Sequence, residues 1–289
     1  MSMIKIGTHR FDTSKKTLIM GILNVTPDSF SDGGRFLTID DAVTHAKKMV
    51  AEGADIIDIG GESTRPGALK IGFSEEIQRV LPIIEQLADE LTIPLSIDTY
   101  KSQVAEKAIA AGVSLVNDIT ALQGDRLMAN VISESDVSVC LMHMKGNPQT
   151  MQMNPEYDDI IKEITSFLKE RAEFARFNDI PKDRIIVDPG IGFGKRTGRG
   201  VEDNCEILNH LKDLKTLGYP LLVGASRKTF LGNVCADNDS LPPQDRLEGS
   251  LAATCLASAF GADIVRVHDV KETYRCLKLV DCVTKHRQR

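Results

Sequence analysis

Eight short runs of Val, Ile and Leu alternate along the chain with longer amphipathic segments, and this repeat restricts the fold more than any other feature. Buried parallel strands have this composition, and they need crossover connections, which are usually helices. Eight such units in 289 residues favour a (β/α)₈ TIM barrel over a doubly wound sheet, which usually has fewer strands. The runs are residues 17–24, 54–60, 94–98, 114–117, 137–142, 184–188, 219–224 and 262–267.

The segments between these runs have a helical pattern of apolar residues. Ser74 is the expected cap of the second helix, and glycines such as Gly53 stand where a helix passes into the next strand. The chain shows no linker or low-complexity tract, so we predict a single domain over residues 1–289, in which a hairpin at residues 1–16 closes the barrel floor. The predicted helices are residues 40–52, 75–91, 101–111, 155–177, 203–217 and 247–260.

The composition excludes several classes of protein. The 35 Lys and Arg against 41 Asp and Glu give a net charge of -6, which argues against non-specific nucleic-acid binding. The six cysteines lack zinc-site spacing and are expected to be reduced thiols. The chain shows no signal-peptide pattern, and its longest weakly polar stretch is shorter than the roughly 20 residues that a membrane span needs. We therefore expect a cytoplasmic protein that binds neither nucleic acid nor membranes.

Polar side chains crowd the C-terminal ends of the predicted strands, where barrels of this kind carry their active sites. Burying such groups without partners costs free energy, so a barrel without a function at this edge would not need them. Four of them can together offer paired donors and acceptors to a flat heterocycle with an amidine-like edge. They are Asp98, Asn117, Asp188 and Lys228.

A second group at the same edge is suited to binding anions. Its members are Asn24, Arg65, Arg266 and His268. Such a set fits a multiply charged leaving group such as pyrophosphate, and the amide oxygen of Asn24 can be a ligand for Mg²⁺. The chain shows no Ser-His-Asp or Cys-His arrangement of the kind that supplies a protein nucleophile.

Taken one at a time, several of these residues also allow a structural role. Asp98 and Asp188 could be helix caps or buried structural carboxylates, and His268 could be a core histidine. The string GIGFGK at residues 190–195 superficially suggests a phosphate loop, but it satisfies neither G-x-x-x-x-G-K-[ST] nor G-x-G-x-x-G. We therefore expect no nucleotide site there, and we interpret His143 as structural.

Five strings in the chain resemble dihydropteroate synthases. They are GILNVTPDSFSDGG at residues 21–34, GESTRPG at 61–67, DPGIGFGK at 188–195, SRK at 226–228 and RVHD at 266–269. The resemblance runs from about residue 17 to the C-terminus. It implies a transferase of folate biosynthesis that condenses 6-hydroxymethyl-7,8-dihydropterin diphosphate with p-aminobenzoate, giving 7,8-dihydropteroate and pyrophosphate. It also implies a target of sulfonamides.

The resemblance implies a role for each site residue. The pterin would be held by Asp98, Asn117, Met142, Asp188 and Lys228. The diphosphate would be held by Asn24, Thr64, Arg65, Arg266 and His268, with Mg²⁺ on Asn24. The p-aminobenzoate pocket would contain Phe30, Ser63, Thr64, Pro66, Phe193 and Ser226. The residues with catalytic roles would be Asp98, Lys228, Arg65 and His268.

Two segments depart from the family pattern, and four others have predicted roles in closure or assembly. Residues 196–204 are longer and more basic than the usual turn of the family, and residues 235–244 are also lengthened, which leaves the shape of the p-aminobenzoate pocket and the sulfonamide response open. The Gly-, Ser- and Pro-rich loops at residues 26–35 and 63–71 are predicted to close over bound diphosphate. By analogy with the family, residues 247–260 and 274–283 are expected to form the surface of a homodimer.

Two alternatives to the synthase remain. A pterin-binding methyltransferase domain would share the barrel and the pterin carboxylates, but it would not need Ser226, Lys228 and the Arg266–His268 pair. A catalytically inactive pterin-binding paralogue would be expected to lose Asn24, Arg65 or Lys228, and all three are present.

Overall fold

The computed structural model describes residues 3–26, 38–63, 67–198 and 202–285. Each of the eight apolar runs forms a strand, and neighbouring strands pair in parallel in the order β8-β7-β6-β5-β4-β3-β10-β9. A bridge between Val187 and Leu221 joins the two outer strands and closes the barrel. The strands are β3 Leu18–Asn24, β4 Ile56–Gly60, β5 Leu95–Asp98, β6 Leu115–Asp118, β7 Ser138–Met142, β8 Ile185–Asp188, β9 Leu222–Val223 and β10 Ile264–Val267. The predicted (β/α)₈ TIM barrel is confirmed.

The helices surround this barrel, and several differ from the prediction at their ends. Gly72 rather than Ser74 caps the second helix, and the fifth begins only after Asp159, whose side chain accepts from the Lys162 N–H. The predicted helix at residues 203–217 is divided into two helices and a 3₁₀ turn. The helices are α1 Ile39–Ala51, α2 Phe73–Glu90, α3 Ser102–Ala110, α4 Met128–Ser133, α5 Ile160–Phe177, α6 Asp203–Asn209, α7 Leu211–Leu214, α8 Thr229–Val234, α9 Leu247–Ala259 and α10 Val270–Thr284. Within the described residues, none of them is long and apolar enough to cross a membrane.

An antiparallel hairpin at the start of the chain lies beneath the barrel. Its strands are β1 Met3–Ile6 and β2 His9–Asp12. Ile4 and Ile6 are buried in one cluster with apolar side chains from the lower half of the barrel interior. The Ser138 hydroxyl also donates to the Lys5 carbonyl oxygen at 2.8 Å, which ties β7 to the hairpin. The floor is therefore closed by apolar packing.

Side chains alternate between the inner and the outer face of each strand, and those on the inner face form two layers in the barrel interior. In β4, Ile57 and Ile59 pack in the core between strands and helices, whereas Ile56 joins the cluster above the hairpin. Successive strand side chains point to opposite faces, so Asp58 lies on the inner face with Ile56, one layer higher. The same alternation in the other strands gives an apolar lower layer and a polar upper layer.

The Asp263 carboxylate connects three parts of the lower rim. It accepts from the Thr13 hydroxyl at 3.0 Å, from the Leu221 N–H at 2.8 Å and from the Lys215 ammonium.

We expect Asp263→Ala to lower the free energy of unfolding by about 2–4 kcal/mol, because buried donors lose their partner. Urea denaturation measures this change, with the exposed Asp239→Ala as the control expected to stay within about 0.5 kcal/mol. Equal stability of the two variants would contradict a role for this network.

Candidate active site

Arg266 lies at the centre of the polar upper layer and joins two carboxylates. Its Nε donates to Asp58 at 2.6 Å, and its terminal nitrogen donates to Asp98 at 2.7 Å. Asp58 is completely buried and also accepts from the Ser96 hydroxyl at 2.5 Å and from the Asn117 amide at 3.1 Å. These donors compensate the charge of Asp58, which fixes Arg266 and Asn117 from below.

Sequence reasoning missed Asp58. The available signal was a carboxylate inside an otherwise apolar run, IIDIG, two residues before the strand end. The prediction considered only the last residues of each strand, so it left out the residue that holds Arg266. The structure also shows that the Arg266 charge faces two carboxylates, so less of it is available for an anion than the sequence suggested.

Asp98 offers one unpartnered oxygen to the barrel mouth. Its side chain is buried, and Oδ1 has no hydrogen-bond partner among the described residues, while Oδ2 receives Arg266. Burial raises the pKa of Asp98 to about 7, against the lowering effect of Arg266. Buried polar atoms are nearly always paired, so this oxygen is suited to accept an N–H from a ligand.

Asp188 and Lys228 face each other across the same layer. Asp188 is buried and accepts from the Gly190 N–H at 2.6 Å, and burial raises its pKa to about 6. Burial, followed by the charge of Arg266, lowers the pKa of Lys228 to about 8. The Lys228 ammonium lies 3.9 Å from the centre of the Phe193 ring, which is a cation–π contact.

Met142 lies beside these groups at the end of β7. It is buried, and it pairs in register with Asp188 of the neighbouring strand. Together with Ile119 and Phe167 it also lines a cavity of about 230 Å³ at the ends of β6 and β7. The structure therefore brings together all five residues that were predicted to hold a pterin, with an apolar surface next to the polar groups.

His268 and Ser226 form a hydrogen-bonded pair at the ends of β10 and β9. The Ser226 hydroxyl accepts from the backbone N–H of His268 at 3.2 Å and lies 3.0 Å from its Nδ1. Burial, and then the charge of Arg266, lower the pKa of His268 to about 3, so the ring is neutral. If the hydroxyl donates to Nδ1, the proton of the ring is on Nε2, and the side chain offers a donor rather than a positive charge.

Asn24 ends β3 beside the polar layer, next to Gly60 of the neighbouring strand. A Cβ at Gly60 would lie 3.4 Å from the Asn24 Oδ1 and 3.7 Å from the Asp98 Cβ. The described part of the chain contains no group of three or more His, Cys, Asp or Glu side chains that could hold a metal ion. One amide oxygen fits Mg²⁺ that arrives on a substrate diphosphate and keeps waters, rather than an all-protein metal cage.

Some predicted residues cannot be placed. Phe30, Thr64, Arg65 and Pro66 lie outside the described residues, as do residues 27–35 of the first loop predicted to close and residues 64–66 of the second. Ser63 is described and half-buried, shortly after the end of β4.

The two lengthened segments fold back on themselves where they are described. The Arg196 guanidinium donates to the Asp203 carboxylate at 2.9 Å, and its backbone N–H donates to the same group at 2.7 Å. In the second segment, the Leu241 N–H donates to the Gly232 carbonyl oxygen at 3.1 Å. The charge of Arg196 is therefore paired with Asp203 next to the site.

Comparisons with known proteins agree with the resemblance of the five strings. The model of the pterin binding enzyme family matches residues 20–268. The dihydropteroate synthase of Synechocystis is 46% identical over 280 residues, which cover 97% of this chain and 94% of that protein.

Two solved structures are similar to this one over nearly the whole chain. Burkholderia cenocepacia dihydropteroate synthase, complexed with 7,8-dihydropteroate, is 41% identical with a TM-score of 0.87, covering 100% of this chain and 99% of that one. Xanthomonas albilineans dihydropteroate synthase, with 4-aminobenzoic acid, is 41% identical with a TM-score of 0.88, covering 98% of each chain. The chain therefore belongs to the dihydropteroate synthase family of pterin binding enzymes.

Proposed function

We propose that this protein condenses 6-hydroxymethyl-7,8-dihydropterin diphosphate with p-aminobenzoate to give 7,8-dihydropteroate and pyrophosphate. The observation that carries the proposal is the buried Asp98 Oδ1, which lacks a partner among the described residues in a layer of positioned polar groups. The relatives that contain 7,8-dihydropteroate and 4-aminobenzoic acid support the same pair of substrates.

The pterin ring fits the polar layer because its amino and ring N–H groups need acceptors. Asp98 and Asp188 each offer carboxylate oxygens. The amide nitrogen of Asn117 is committed to Asp58, so its amide oxygen is the atom that a ligand N–H would meet. Lys228 supplies a donor for the ring carbonyl oxygen, and Met142 packs against the ring.

The diphosphate is assigned to the side of the layer formed by β3 and β10. His268 supplies an N–H donor, and Asn24 would hold Mg²⁺ through its amide oxygen. When bound, Mg²⁺ supplies electrostatic stabilisation of the leaving diphosphate oxygens. Arg65 and Thr64 are assigned to the same group from the sequence alone.

The carboxylates of the polar upper layer suit a reaction in which the pterin becomes positively charged. The bond between the pterin methylene carbon and the diphosphate oxygen breaks, and its electron pair leaves with pyrophosphate. The ring and methylene then carry positive charge, which the carboxylates of Asp98 and Asp188 stabilise at a buried position. The nitrogen of p-aminobenzoate donates its lone pair to the methylene carbon, forms the C–N bond and loses a proton to solvent.

The second substrate is assigned to the surface beside Lys228. The Phe193 ring lies against the Lys228 ammonium, so an aromatic amine entering here meets a ring face close to the methylene carbon. The hydroxyl of Ser226 is already paired with His268, and we propose that it contributes to the pocket together with that histidine. Phe30, Ser63 and Pro66 are assigned to the pocket from the sequence.

We also propose a homodimer formed through α9 and α10. Large apolar side chains are exposed on these two helices, and apolar surface of this kind is typical of interfaces. They are Leu256, Tyr274, Leu279 and Val283. A cytoplasmic location stays a prediction from the composition.

The reaction is tested by pyrophosphate release from purified protein. We expect release from the pterin diphosphate to require Mg²⁺, to accelerate with p-aminobenzoate and to yield dihydropteroate. Chelation of Mg²⁺ is expected to abolish it, because the charge of the leaving group is then uncompensated. Tight binding of the pterin diphosphate without release would instead identify an inactive pterin-binding protein.

Lys228→Ala tests the assignment of the polar layer. We expect kcat/KM to fall by at least about 100-fold, as for other lost donors that stabilise developing charge, together with weaker pterin binding. The exposed Lys169→Ala on α5 is the matched control and should leave both quantities unchanged. Catalysis at the wild-type rate in Lys228→Ala would remove this residue from the site.

The pH dependence of kcat/KM tests the charge states. Asp98 must be ionised, so kcat/KM should fall as the pH drops below its pKa of about 7. Lys228 must be protonated, so kcat/KM should fall again above its pKa of about 8. Lys228→Arg should move the basic limb to higher pH, because guanidinium stays charged. A basic limb unchanged in that variant would assign it to another group.

A further inference from the structure

Lys195 is a buried lysine that the mechanism above does not use. Its side chain is 1% exposed, and its ammonium lies inside the turn that follows β8. Nζ is 2.8 Å from the Gly190 carbonyl oxygen, 2.8 Å from the Phe193 carbonyl oxygen and 3.0 Å from the Nδ1 of His143. An ammonium has three donors, and the three acceptors satisfy them all.

The glycines of this turn direct its carbonyl groups inward. Gly190, Gly192 and Gly194 have φ of 69°, 79° and 60°, a region that favours glycine. A Cβ at Gly190 would lie 1.9 Å from the His143 carbonyl oxygen, so no other residue fits there. Two of the N–H groups are already used, since Gly190 donates to Asp188 and Gly192 donates to Asn204.

This geometry explains the string GIGFGK, which superficially suggested a phosphate loop. A phosphate loop presents N–H groups to an anion. Here carbonyl oxygens surround a cation that belongs to the chain itself. The string therefore encodes a turn that is built around Lys195 rather than around a ligand.

The outer side of the turn contacts the proposed site. The Phe193 ring lies under the Lys228 ammonium at 3.9 Å. A Cβ at Gly192 would lie 3.1 Å from the Lys228 Cδ, so the Lys228 stem packs closely on the turn. The turn therefore lies between Lys195 and the Lys228 stem, and it carries the Phe193 ring.

We propose that Lys195 is a positioning residue, whose ammonium holds residues 190–194 in the shape that sets Phe193 against Lys228 and so determines the affinity for the aromatic amine substrate. This inference rests on the function proposed above. Lys195 touches neither the reacting atoms nor the assigned ligands, and it acts through the turn.

Burial and the neighbouring charges act on the protonation of Lys195 in opposite directions. Burial lowers the pKa of Lys195 to about 7, and the nearby Asp188 carboxylate acts against that effect by favouring the charged form. Burial and the charge of Lys195 lower the pKa of His143 to about 2, which leaves Nδ1 free to accept. His143 also packs edge-on against Phe167, with ring centres 5.0 Å apart, as the structural interpretation predicts.

Lys195→Met removes the cation and keeps most of the side-chain volume. We expect the KM for p-aminobenzoate to rise about tenfold, within the range for losing one cation–π contact, while the Kd of the pterin diphosphate changes less than about threefold. The matched control is Lys285→Met, since Lys285 also donates to a backbone carbonyl, that of Thr13 at 2.9 Å, but at the barrel floor. This control should lose stability only, with its KM values unchanged.

A double-mutant cycle with Phe193→Ala shows whether Lys195 acts through the ring. In the Phe193→Ala background, Lys195→Met should raise the KM for p-aminobenzoate less than about twofold, because coupled positions are not additive. Full additivity, or a folded Lys195→Met with wild-type KM values, would overturn the proposal and leave Lys195 with a purely structural role.

A second variant decides the question if Lys195→Met does not fold. His143→Met removes one acceptor and leaves the ammonium in place, and it should raise the same KM by a smaller factor; an unchanged KM would overturn the proposal. The wild-type protein is assayed alongside. Absence of pyrophosphate release from the wild type would reject the proposed function, whereas an active wild type with unaffected variants would reject the positioning role alone.

Discussion

The ion pairs of Arg266 with Asp58 and Asp98 are the interaction on which the upper half of the barrel depends. Three charged groups lie inside the barrel, and each is costly to bury unless the others are present. Ser96 and Asn117 complete the donors around Asp58, which is completely buried and therefore out of reach of a ligand. The cluster therefore stabilises the interior and leaves Asp98 with one oxygen free for chemistry.

The barrel separates stability from function by layer. Its lower interior is filled by apolar side chains and covered by the hairpin, while the helices bury the outer faces of the strands. The polar side chains stand one layer above, held by strands whose positions the apolar core has already fixed. Such rigid support favours the electrostatic preorganisation that catalysis needs, because the groups do not have to reorganise during the reaction.

The turn between β8 and α6, at residues 190–194, is held by hydrogen bonds to Lys195 and Tyr157. Its glycines permit backbone conformations that direct carbonyl oxygens inward, and Lys195 neutralises that concentration of oxygen dipoles. Tyr157 supports the same turn from outside, since its hydroxyl donates to the Gly194 carbonyl oxygen at 2.5 Å. The turn is therefore fixed on two sides, and its position beside Lys228 is part of the site.

The sequence by itself determined the eight strands, their order, most of the helices and the polar residues at the strand ends. These features are local, because hydrophobic period and turn residues act over a few positions along the chain. The errors at the starts of α2 and α5 came from competing caps: Gly72 and Asp159 stand at the N-caps, whereas the pattern predicted a cap at Ser74 and a helix start at Pro155.

Only the tertiary structure decided the charges and partners of the site. Arg266 is 208 positions from Asp58 along the chain, and nothing local predicts that the two carboxylates take up its charge. The neutral state of His268 likewise follows from burial among groups distant in sequence, and one acceptor of the Lys195 ammonium, His143, is 52 positions away. The sequence could therefore name residues for the site. The low dielectric of the folded interior decided which of them carry charge and which groups those charges face.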